Sequence, residues 1–419
     1  MGEFDGLPSS AHDETIGSLE KMENKIALDV EFGDQDPTDA IVQPAEHDPD
    51  EYLAQNSFRI VYQTNNFFLP QIRDMIEQRE AINLRPEYQR RLRWTNVQKS
   101  KLIESLLLNI PVPPVFFYEA DAARYEVMDG QQRLNTIRDF FAGDFPLRGL
   151  RLLKPLNGLR YTKCPPRVKR TLDRATISAI VLLMESVSER PNEAQLSITD
   201  IRRIVFDRLN TGGRQLNAQE IRNALNPGPL NQCILKLSRS ARFTEVFGIP
   251  PYTEDDEEDY YENPVRQQNH LYSSMRDCEL VLRVFALRET DNIRGSMKGM
   301  LDRAMETNIT EEQAEKFASD FRECFEFLYE LFDKRPFVIF SRNHGKERIS
   351  AALYDAAMVA LNRIWNRRSD VRADKAGVRE RLATAVSNDE RYELIVGRRN
   401  TAEAVRERID LLQEILLPE

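Results

Sequence analysis

Histidine is scarce in this chain of 419 residues: His12, His47, His270 and His344 stand far apart. That spacing excludes a His-Asn-His nuclease pattern and a His-Glu-x-x-His metal site, and there is no Gly-x-x-x-x-Gly-Lys-Ser/Thr phosphate loop. Cysteine is equally sparse. Cys164, Cys233, Cys278 and Cys324 form no Cys-x-x-Cys pair, so buried reduced thiols are expected, not disulfides or a zinc site. No stretch approaches the roughly 18 uninterrupted apolar residues of a membrane span. The first residues, MGEFDGLPSS, lack the basic-then-apolar order of an export signal. The expected address is the cytoplasm, with no membrane partner. Without histidine chemistry, catalysis would rest on carboxylates, glutamines, arginines and a bound metal, which points toward phosphoryl or nucleotide work.

What is present is a hydrophobic content of 41%, enough for a substantial core, and a net charge of −10 that is unevenly spread. Residues 1–55 hold fifteen carboxylates against Lys21 and Lys25, a balance of −13, which leaves +3 for the remainder. Such a segment, broken by Pro37, Pro44 and Pro49, reads as a disordered leader. It serves either as a plain solubiliser or as a competitor with nucleic acid for a basic surface.

The stretch 124–143, RYEVMDGQQRLNTIRDFFAG, reads as strand, turn and helix. Residues 125–128 form the strand, Asp129 and Gly130 the turn, and 131–141 a helix with Leu134, Ile137 and Phe141 on one face, closed by Gly143. Gly130 lets backbone approach a ligand, the first helical N–H groups are free, and Arg133 adds a forked cation, so the place suits phosphate. An ordinary solvated turn with a surface arginine is the competing reading.

Around this unit the pattern gives a strand at 58–62, a helix at 70–79 and an exposed arginine-rich loop at 84–94. A helix capped by Thr95 and Gln98 follows, with Leu102, Ile103, Leu106, Leu107 and Ile110 as its apolar stripe, and then a strand at 115–118. The basic residues from Arg148 to Arg174 suit either a solvated face or a nucleic-acid backbone, and 176–184 is the strongest strand, expected centrally in a sheet. A helix ending at residue 210 and another capped by Asn217 and Glu220 have helix-turn-helix shape. The second offers only Gln219, Arg222 and Asn223 for reading bases. From 230 onward the periodicity is helical, at 279–287, 297–305, 311–332, 349–365, 373–385 and 401–416, with an acidic surface insert at 253–262.

Three stretches together carry a family resemblance: Pro86-Glu87-Tyr88-Gln89-Arg90 with Trp94, Met128-Asp129-Gly130-Gln131-Gln132-Arg133-Leu134, and Phe206-Asp207-Arg208-Leu209-Asn210-Thr211-Gly212-Gly213 with Leu216, Glu220 and Ile221. They resemble the N-terminal domain of GmrSD-type, modification-dependent restriction endonucleases, related to ParB and sulfiredoxin nucleotide-binding folds. The resemblance implies an α+β, ParB-like nucleotide-binding domain over 56–230, and with the helical periodicity of 231–419 the expected fold is α+β, this domain followed by an all-α one. It implies an NTP with Mg²⁺ as ligand. Asp129, Gln132 and Gln89 would be catalytic, and Gly130, Gln131, Arg133, Arg90, Arg208, Asn210 and Thr211 would bind nucleotide, with Asp129 also on the metal. Many relatives fuse or pair this domain with a His-Asn-His nuclease, and that pattern is absent here. Either a separate nuclease subunit cuts, or this protein does not restrict DNA. The expected role is a nucleotide-binding, NTP-hydrolysing component of a restriction or anti-phage defence system. The alternative is a ParB-like switch that binds nucleotide and clamps DNA or a partner without significant hydrolysis. DNA contact and homo-oligomerisation are left open.

Overall fold

The computed structural model describes residues 29–32, 61–77, 81–84, 94–183, 204–205, 208, 217–226, 228–252, 264–342, 344–398 and 400–417. They fall into two compact units: one drawn from Ala40–Gln232 with Asp255–Glu279, the other from Met1–Asp39, Cys233–Glu254 and Leu280–Glu419. The fold is mixed α+β. The first described element is a short strand, β1 (Val30–Glu31), which belongs to the second unit.

The first unit is built on a five-stranded sheet in the order β2-β6-β4-β5-β3. Its strands are β2 (Tyr62–Phe68), β3 (Ile82–Asn83), β4 (Val115–Asp121), β5 (Arg124–Asp129) and β6 (Thr176–Leu182). β4 runs antiparallel to β5 and parallel to β6, while β2 is antiparallel to β6 and β3 parallel to β5. β6 is therefore internal, as its apolar run requires.

Side chains alternate across a strand, and here both faces are used. Val115, Phe117, Val127, Ile177, Ala179 and Val181 face one core with residues of α1 (Leu69–Glu77), α2 (Asn96–Leu107), α3 (Gln131–Ala142) and α4 (Pro166–Arg174). Phe116, Tyr118, Met128 and Leu182 face the opposite way, onto Ile221, Ala224 and Leu225 of α5 (Ala218–Leu225). Both capping boxes are present: Thr95 with Gln98 starts α2, and Asn217 with Glu220 starts α5.

Two local expectations shift. The strand placed at 58–62 instead runs Tyr62–Phe68, and residues 58–60 lie outside the described set. Its polar centre, Gln63 to Asn66, hid it, and pairing along its whole length with β6 draws it into the sheet. Ile110 does not join the α2 stripe. The helix ends at Leu107, Asn109 takes φ 54°, and Ile110 is left 46% exposed.

The second unit is mainly helical, including α6 (Ala241–Phe247), α7 (Glu311–Leu331), α8 (Ala351–Arg363) and α9 (Ala402–Leu416). Phe243, Phe247, Phe321, Phe325, Phe337 and Tyr354 form a continuous aromatic cluster. This half is not purely helical. β7 (Val338–Ser341) and β8 (Lys346–Ser350) form a hairpin, and β1 adds parallel to β8. The helix read over 349–365 therefore begins at Ala351, with Ser350 as its cap. Disorder over 1–55 also fails at one place: Asp29 accepts the backbone N–H of Ile349 at 3.1 Å and pairs with Lys346 at 2.8 Å. All four cysteines are free and buried. Burial pushes the Cys233 thiol up to about 11 and the Cys324 thiol up to about 12, so both are inert.

Candidate functional site

β5 carries Asp129 to the mouth of the turn, and Gly130 then caps α3 in the left-handed conformation, φ 97°. A Cβ on Gly130 would lie 2.5 Å from Val115 Cγ1 and 3.0 Å from Arg133 Nη2. The glycine thus makes room for the protein's own β4 wall and guanidinium, a nearer reason for its presence than approach of a ligand. Arg133 Nη2 donates to Asp129 Oδ2 at 2.6 Å and to the Pro114 carbonyl at 3.2 Å. The Arg133 side chain is 13% exposed and that of Asp129 36%. The buried Arg133 Nε has no hydrogen-bond partner among the described residues.

The two glutamines point elsewhere. Gln131 is buried and its Nε2 donates to the Leu84 carbonyl, whereas Gln132 Oε1 accepts the Trp94 backbone N–H at 3.2 Å. Leu84 and Trp94 flank residues 85–93, so the turn holds both ends of the stretch that contains Gln89 and Arg90. Those two residues, like Asn210, Thr211 and the acidic insert at 253–262, lie outside the described residues. Arg208 is an exposed helical residue. Pro114 and Val115, which complete the turn, were missed in sequence. The Pro113-Pro114 pair that aims the chain into β4 was the one available signal.

The arrangement suits an anion. Among the described residues no side chain caps α3 and the buried Arg133 Nε has no acceptor, while the first N–H groups of the helix carry the positive end of its dipole. The fit to Mg²⁺ is narrower. Among the described residues no three of His, Cys, Asp and Glu lie close enough to hold a metal. Mg²⁺ commonly takes one or two carboxylates and completes its shell with phosphate and water, so Asp129 could supply the protein ligand once Oδ2 is released from Arg133. A cleft of about 650 Å³ opens beside edge strand β3, lined by Asn83, Leu84, Arg124, Tyr125, Glu126 and Arg138, and it meets the turn at Leu84. A larger cleft of about 850 Å³ lies in the second unit. Two of its acids are already engaged, Glu326 by Arg242 and Glu330 by Arg372, and it has no link to the turn's chemistry.

The helix-turn-helix outline does not present a reading face. Gln219, Arg222 and Asn223 are all buried: Gln219 Nε2 donates to Asn223 Oδ1 at 2.8 Å, Arg222 Nη1 to Gln219 Oε1 at 3.2 Å, and Asn223 Nδ2 approaches Met275 Sδ at 3.3 Å. They form an internal polar network, and base edges could not reach them.

Residues 72–226 match the family model for the GmrSD restriction endonuclease N-terminal domain. The matched stretch contains the Asp129–Arg133 turn. No curated protein and no solved structure matches the chain. No helix among the described residues is long and apolar enough to cross a membrane.

Proposed function

We propose that the protein is a nucleotide-binding component of a GmrSD-like DNA restriction or anti-phage defence system, taking an NTP with Mg²⁺ at the Asp129–Arg133 turn and acting with a separate nuclease subunit. The observation that carries this reading is the start of α3, which no side chain among the described residues caps, beside Arg133, whose Nη2 already holds Asp129 and the Pro114 carbonyl. A phosphate oxygen seated there accepts from helical N–H groups and from Arg133, a charge-assisted contact. Gln131 contributes by holding Leu84 at the lip of the β3 cleft, where a sugar or base has room. Nucleotide binding would release Asp129 from Arg133 and Gln132 from Trp94, and Gln89 and Arg90 would come from the stretch that the two glutamines tether. Bound Mg²⁺ would neutralise phosphate charge during transfer to water.

A second reading is a ParB-like switch that binds nucleotide without significant turnover. The 2.6 Å Asp129–Arg133 ion pair favours it, because the carboxylate is already spent on a cation. A panel of NTPs with Mg²⁺, scored by thermal shift and by phosphate release on wild type and Asp129→Ala, separates the two. Steady release that Asp129→Ala abolishes supports the hydrolase. Saturable stabilisation without release supports the switch. A ligand at one hundred times its Kd raises stability by about 2.7 kcal/mol. No stabilisation by any NTP overturns both.

A further inference from the structure

α4 carries three arginines, Arg167, Arg170 and Arg174, spaced three and four residues apart, so they form one row along its face. The row spans about 10 Å at the helical rise. All three are exposed, and none of the three guanidinium groups has a carboxylate or hydrogen-bond partner among the described residues. Some surface arginines elsewhere are paired: Arg335 takes Glu347 at 2.6 Å and Arg372 takes Glu330 at 3.1 Å. The carboxylate on α4, Asp173, forms no ion pair with these arginines among the described residues. Between the arginine row and the end of α2 runs an open groove of about 380 Å³, with Asn109 and Leu107 on its opposite wall.

We infer that this groove is a docking surface for the phosphate backbone of duplex DNA. Arginine forks match phosphate oxygens in pairs, and a row of about 10 Å can reach two or three neighbouring phosphates. No aromatic residue is among the groove's described lining, so there is no platform on which unpaired bases could stack, which favours duplex over single strand. Nothing in the groove offers a buried donor or acceptor pattern for base edges, so the contact positions the DNA and does not read it. The inference rests on the reading of the chain as a component that works on DNA.

The test measures binding of a fluorescent 20-base-pair duplex, of its single strand and of anionic lipid vesicles by the full-length protein, from 50 to 200 mM salt. It is run on wild type, on R167Q/R170Q/R174Q and on Asp129→Ala, each checked by melting temperature. Wild type is expected to prefer duplex. The triple variant should lose most of that affinity at low salt, and its slope of log affinity on log salt should become shallower by about 2.7, three contacts at about 0.9 each. Asp129→Ala should keep duplex binding while losing nucleotide, so failure of the nucleotide site and failure of the DNA face give different patterns. An unchanged slope in the folded triple variant overturns the proposal. So does no duplex binding by wild type at 50 mM salt, equal or better binding of single strand, or binding of vesicles in place of duplex.

Discussion

Gln132 Oε1 accepts the backbone N–H of Trp94 at 3.2 Å, which ties the first turn of α3 to a residue 38 positions earlier. Its neighbour Gln131 reaches the other way, to Leu84. The pair differ in burial, and the difference is measurable. Gln131→Ala strands a buried carbonyl and should cost about 1–3 kcal/mol, whereas Gln132→Ala, at a half-buried site, should cost about 0.5–1.5 kcal/mol. Urea unfolding of both variants checks this; equal costs would mean that the Leu84 tie is not structural.

Arg133→Ala should weaken NTP binding roughly ten- to a hundredfold, the cost of about 1.5–3 kcal/mol for a charge-assisted contact. Arg133→Lys should restore little of it. A single ammonium cannot satisfy Asp129 Oδ2, the Pro114 carbonyl and a phosphate together. Titration calorimetry on folded protein decides the matter, and undiminished affinity in Arg133→Ala would remove the residue from the site.

Gly130→Ala should destabilise by more than about 1 kcal/mol, through its left-handed backbone and through the clash with Val115. Adding Val115→Ala should recover part of the loss, because it removes the atom 2.5 Å from the new methyl. Strictly additive losses in the double variant would show that backbone strain alone is responsible.

Glu104 should make the first unit acid-sensitive. Burial works to raise its pKa, but backbone N–H groups of Leu153, Leu152 and Arg151 outweigh burial and hold the carboxyl below its ordinary value. Glu104 Oε1 accepts from Leu153 N at 2.8 Å and Leu152 N at 2.9 Å. A folded pKa below the unfolded one, about 4.3, gives stability that is complete above that value and is lost as pH falls through the folded pKa. The stability gap between wild type and Glu104→Gln should therefore narrow between about pH 5 and pH 3. A gap of constant size in denaturant titrations at both pH values would refute it.

Much of this was determined by the sequence alone, wherever the cause is local. The strand, turn and helix from Arg124 to Gly143, the capping boxes at Thr95 and Asn217, the central place of β6 and the burial of all four cysteines follow from alternation, helical period, cap chemistry and apolar content. Only the tertiary structure decided where partners distant in sequence take a side chain. Arg133 is folded back onto Asp129 and Pro114, and Gln131 onto Leu84. Gln219, Arg222 and Asn223, polar enough to suggest a surface, are buried because each finds a hydrogen-bonding neighbour. The polar β2 became a strand because β6 was there to pair with it, and 346–350 became β8 because β7 and β1 complete its hydrogen bonds. Periodicity carries the local cost of a conformation; the identity of the partner that satisfies a buried donor or an open strand edge is set by the chain's return from far away.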